Sequence, residues 1–168
     1  PPPPPPPPTF FLTPTTAHPL RLGLVGSEMC IRDSVYLART YAPDWMPSTP
    51  IDEANVQRWL TLAAGEVAFG SCAARLITVF GAPLDVDFAD ATATKAMQKL
   101  EHGLEGRDWL VSDRPTIADV ANYSYTAHAP EGNVSLDPYP NVRAWLARFE
   151  ALPGFQAMPA TAVGLAAE

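Results

Sequence analysis

The side chains best suited to chemistry are few and widely spaced. Two cysteines, Cys30 and Cys72, and three histidines, His18, His102 and His128, form neither a CxxC pair nor a spacing suited to a metal. A zinc site or a disulfide framework is therefore not expected. Two thiols without a partner pattern fit a reducing, cytoplasmic compartment. Cys72 has no base or cation directly beside it and reads as a small buried apolar side chain rather than a nucleophile. Tyr123, Tyr125 and His128 follow at i, i+2 and i+5, which brings Tyr125 and His128 near one helical face. A histidine beside Ala-Pro also suits a helix end, where it meets the last carbonyls.

The sharpest local pattern is DRPTIADVA, from Asp113 to Ala121. Thr116 and Asp119 stand three residues apart before an apolar run. The threonine hydroxyl can accept from the Asp119 amide while the carboxylate reaches back to the Thr116 amide. That is a capping box with Asp in place of Glu or Gln. Capping accounts for Asp119 without a catalytic role.

These groups need helices to hold them. Val35–Ala42, VYLARTYA, reads as the end of a helix, and Pro43, Pro47 and Pro50 form a linker that cannot be helical. Asp52 suits an N-cap for a long helix reaching about Phe80. Val56, Leu60, Ala63, Ala64, Val67, Ala74 and Ile77 recur there at helical spacing. Gly81-Ala82-Pro83 stops it. A second helix is expected from Asp90 to Leu104, closed by Gly106, a third from Thr116 to about His128, and a fourth from Pro140 to Leu152. Glu131-Gly132-Asn133 reads as a turn. Trp59, Trp109 and Trp145 fall in apolar stripes and belong to a core, while Trp45 packs at the linker. No segment alternates as a strand, so the expected fold is an all-α helical bundle over 51–168, with 35–50 as preceding helix end and linker.

Residues 1–34 differ in character. Pro1–Pro8 is a low-complexity run that favours polyproline II and builds no core. Arg21–Ser34, RLGLVGSEMCIRDS, resembles the translation of a sequencing-library adaptor. We expect 1–34 to be an unstructured, non-native tail. The formal net charge is -7, and all of the excess acid lies after position 34. An acidic domain without a basic stripe is not expected to bind nucleic acid. No apolar run approaches the ~20 residues of a membrane span, so no membrane partner is expected.

DWLVSDRPTIADVANYSY followed by YPNVRAWLARFEALPGF resembles the C-terminal half of cytosolic, bacterial-type glutathione S-transferases. VYLARTYAPDWMP is similar to that family's last N-domain helix and interdomain linker, and VQRWLTLAAGEV to its first C-domain helix. Ser112-Asp113 stands where Gly-Asp is usual. The resemblance spans 35–168 and implies a C-terminal helical domain of that family. It further implies that the thioredoxin-like domain binding glutathione is missing from this stretch; Asp33-Ser34 lies too close to Tyr36-Leu37 to be that domain's acid-Ser pair. It implies glutathione as a co-substrate of the parent enzyme, none bound covalently, with a small hydrophobic electrophile and a homodimer. The electrophile pocket would be lined by the first C-domain helix. Thr61, Gly65, Ala68, Phe69 and Cys72, at i, i+4, i+7, i+8 and i+11, share one face there, with Tyr125 and His128 at its mouth. Small residues on that face equally suit close helix packing. In Cys-type bacterial members a histidine stands where this chain has Ala68, which speaks against that chemistry. The resulting expectation is a fragment of a glutathione S-transferase, inactive by itself. The alternative is a stand-alone helical protein-interaction module of the same fold.

Overall fold

Prolines and side-chain caps set most helix boundaries in this chain. The structure is a computed structural model that describes residues 31–167. The tail expected at 1–34, with Cys30 and His18, lies outside those residues up to position 30. Residues 31–41 form helix α1, so helical backbone is already present upstream of Val35, where the sequence reading begins it. Ile31 and Val35 pack against the core and Ala38 is buried in it.

Pro43–Trp45 makes one tight turn and buries Met46 behind it. Helix α2 then runs Pro50–Leu62. Its cap is Thr49, not Asp52: the Thr49 hydroxyl accepts the Asp52 N–H at 3.1 Å and donates to its carboxylate at 2.7 Å. Pro50 explains the shift. It needs no N–H partner at the first helical position, so the helix starts earlier and Asp52 falls in the first turn.

The same helix continues without a break through a π-helical segment, Ala63–Cys72, into α3, Ala73–Phe80. Ala73 N–H donates to Ala68 O, five residues back. Gly81 adopts φ +63° and ends it. Gly70 explains how the segment packs. A Cβ there would stand 2.4 Å from the Ala93 amide nitrogen, so the central helix and α4 cross backbone against backbone. By length and composition Pro50–Phe80 could cross a membrane, contrary to the sequence reading. In this fold Val56, Trp59, Leu60 and Val67 are buried. Two of its five charged residues, Glu66 and Arg75, pair with Lys99 and Glu131, both at 2.6 Å.

Helix α4 spans Val86–Gly103, starting four residues before the expected Asp90 because the Asp85 carboxylate accepts the Phe88 N–H. It turns Ala89, Ala93, Ala96, Met97 and Leu100 inward, and Gly106 at φ +67° lies in the turn beyond it. Helix α5 is Ile117–Ala127 and α6 is Pro140–Glu150. The main core joins Val56, Leu60, Met97, Leu100, Leu110, Val142 and Trp145. Trp59 and Trp109 are buried in it, and Trp45 packs against it half-buried. Tyr123 stacks on Phe149 at 4.6 Å, with Phe155 edge-on to both. Among the described residues there is no strand, and the molecule is an all-α bundle.

Two polar devices fix the helix starts. The capping box of α5 forms, with Thr116 N–H donating to Asp119 Oδ2 at 2.8 Å. Asp119 does more than the sequence suggests. Its Oδ1 also accepts from Leu110 N–H and from the Trp145 indole, each at 3.0 Å. Helix α6 has no side-chain cap of its own. Instead Glu101 of α4 spans its N-terminus, accepting Asn141 N–H at 3.1 Å and Val142 N–H at 3.0 Å.

Candidate functional site

The π-helical segment changes how the central helix presents its residues. The sequence spacing assumed 3.6 residues per turn, whereas i→i+5 bonds widen the turn. Val67, Gly70 and Ser71 are buried. Thr61, Gly65, Ala68, Phe69 and Cys72, the strip expected from the sequence, are each half-buried or exposed. Thr61 returns its hydroxyl to Gln57 O at 2.9 Å. Gly65 has nothing within 4 Å of where a Cβ would be, so it leaves room, while Gly70 serves close packing. Phe69 is 49% exposed and Tyr125 38%.

Tyr125 reaches the strip and hydrogen-bonds the Cys72 thiol. Cys72 is half-buried, and a cation does stand near it: Arg75, one turn on. Burial pushes the thiol above its ordinary range; the Tyr125 bond and the Arg75 charge pull it back, with less effect. At neutral pH it is a thiol, not a thiolate nucleophile. The strip therefore offers an apolar wall with a polar edge, and no general base.

His128 goes elsewhere. It ends α5 and turns into the domain, its Nδ1 2.5 Å from Glu131 Oε1. Glu131 lies in a short 3₁₀ turn, Ala129–Gly132, where a turn was expected, and its side chain is only 2% exposed. Arg75 Nε donates to its other oxygen at 2.6 Å, and Thr161 N–H donates to Oε1 at 3.0 Å. Burial alone would raise this carboxyl, but the three donors and the Arg75 charge hold it at about 2. Neither Arg75 nor Glu131 is among the site residues expected from the sequence. The His-x-x-Glu spacing was a usable sign of one; nothing marked Arg75, 56 residues away.

Two shallow grooves lie away from the strip. One, about 280 Å³, is lined by Leu104, Arg107, Asp108, Asn141 and Arg148 among others. The other, about 330 Å³, is lined by Pro47, Ser48, Asp52, Ser112, Asp113 and Arg114. Neither includes a residue of the strip. Among the described residues no group of three or more His, Cys, Asp or Glu could hold a metal.

Residues 84–153 match the family described as glutathione S-transferase, C-terminal domain. Solved structures similar to the chain include a glutathione S-transferase from Xanthobacter autotrophicus Py2, at 30% identity and TM-score 0.68, covering 75% of this chain and 63% of that one. A possible glutathione S-transferase from Rhodopseudomonas palustris is 26% identical at TM-score 0.66, covering 74% and 63%. A delta-class glutathione transferase from Nilaparvata lugens is 30% identical at TM-score 0.60, covering 71% and 58%. This chain thus spans less than two thirds of each of these relatives. No curated protein matches it.

Proposed function

We propose that this chain, whose residues 84–153 match the glutathione S-transferase C-terminal domain, is such a domain, and that the open strip of the central helix is the wall of a site for a small hydrophobic electrophile. The observation that carries this is Gly65. It stands in open space on a strip bordered by Phe69 and by the bonded pair Cys72 and Tyr125. An apolar surface with a few placed polar groups is what such ligands require.

In the parent enzyme the thiolate of glutathione would attack the electrophile. Lowering the pKa of that thiol and aligning it belong to a glutathione-binding domain. The described residues supply positioning and desolvation, and by this reading no activation. Phe80, Leu84, Val86 and Phe88 are exposed around the start of α4, an apolar patch that supports a homodimer.

The test uses the purified chain and chlorodinitrobenzene. We expect no turnover with glutathione, together with displacement of an apolar fluorescent dye by the electrophile. Gly65→Trp fills the open space, and should weaken that displacement by about tenfold, the usual worth of ~1.4 kcal/mol. Equal displacement in a variant that still melts cooperatively would overturn the assignment of the strip. Turnover by the chain would overturn the division of labour.

A further inference from the structure

A buried carboxylate needs donors, and Glu131 draws them from three places: Arg75 on α3, His128 at the end of α5, and the backbone of Thr161 near the C-terminus. Arg75 Nη2 also reaches the Thr161 hydroxyl at 3.4 Å. Three residues on, Gly164 adopts φ +58° and sits tightly on the same turn. A Cβ there would stand 2.8 Å from the carbonyl oxygens of Pro130 and Glu131, and 3.0 Å from Asn133 Oδ1. Two polar anchors thus hold the last described segment.

Little else does. The final short helix, Gly164–Ala167, buries no side chain, and Leu165 is 39% exposed. The bundle beneath is held by a continuous apolar core. Segments with few buried apolar contacts open well below the global unfolding free energy. Opening here would not orphan the buried charge either, because Glu131 keeps Arg75 and His128 and gains water in place of the Thr161 N–H.

We propose that residues 161–167 form a strap that opens and closes as a unit on the folded domain, with the Glu131 carboxylate as its catch and Gly164 as its seat. The strap covers the Arg75–Glu131–His128 cluster when closed and uncovers it when open, while α4, α5 and α6 stay folded. Because Arg75 follows Cys72 by one turn, the cluster adjoins the polar end of the strip.

Hydrogen exchange of the full chain, read by mass spectrometry, tests this. Amides of 161–167 should exchange about a hundredfold faster than buried amides of α4 and α5, yet about tenfold slower than an unprotected chain. Gly164→Val should bring the strap to the unprotected rate and leave the helices unchanged. A strap that exchanges at the same rate as the helices overturns the proposal, as does one with no protection, or a Gly164→Val strap no faster than wild type. If that variant does not fold, wild-type exchange in low urea decides. Strap rates that do not respond to urea support independent opening, and rates that rise in step with the helices overturn it.

Discussion

The indole Nε1 of Trp145 donates to Oδ1 of Asp119 at 3.0 Å, so one carboxylate ties α6 to the start of α5. Leu110 N–H shares that oxygen, and Thr116 satisfies the other through both its amide and its hydroxyl. Burial pushes this carboxyl above its ordinary range against the pull of those bonds. Asp119→Ala should cost about 2–4 kcal/mol, because it strands several buried donors at once. Thr116→Ala, which removes one side of the cap, should cost about 1 kcal/mol. Urea unfolding of both variants checks the ranking.

The contrast between these two costs marks how far the sequence could be read. The capping box was legible because its partners lie three residues apart. The bonds from Leu110 and Trp145, 9 and 26 residues away, were not. The same holds elsewhere. The central helix, α5 and α6 followed from periodicity and prolines. The start of α4 was missed because Val86 and Phe88 are exposed and break the apolar stripe that places a helix. In the site, Cys72 and Tyr125 do come together. The π-helical register of Ala63–Cys72 leaves no mark in composition, and the destination of His128 depends on the buried carboxylate of Glu131, which the sequence reads only as part of a turn.

Glu131 gives the fold a dependence on acid. Its carboxyl is held at about 2 in the folded chain, below its unfolded value. The folded state therefore gains stability from this group above roughly pH 4.5, and loses it as pH falls toward 2. Asp119 acts in the opposite sense, since its folded value is raised. Glu131→Gln should flatten the acid limb of the stability profile relative to wild type. Melts from pH 7 to pH 2.5 measure it, and an unchanged limb would contradict the geometry.

Gly65 and Gly70 should respond oppositely to alanine. Gly70→Ala drives a Cβ into the backbone of Ala93 and should cost 2 kcal/mol or more, at about the upper range for overpacking. Gly65→Ala meets nothing and removes a flexible residue from a helix, so it should stabilise by roughly 0.5–1 kcal/mol. Thermal melts of the two variants separate the packing glycine from the open one.

Cys72 should label slowly with iodoacetamide at pH 7 and speed up only above the usual thiol range. Tyr125→Phe removes a bond that lowers the thiol's pKa, so it should shift the rate profile to still higher pH. A shift to lower pH would mean that the tyrosine acts on the thiol in the other direction.

Glu101 has a consequence for the order in which the chain assembles. Helix α6 is only 11 residues long and has no side-chain cap of its own. Its first free amides are met by a carboxylate 40 and 41 residues upstream. A short helix without a local start signal nucleates poorly. Helix α6 therefore waits for α4: loop closure over that span precedes the reward, and α6 docks as it forms rather than before. On a growing chain, Pro140–Glu150 becomes a helix when Glu101 is already in position to receive it.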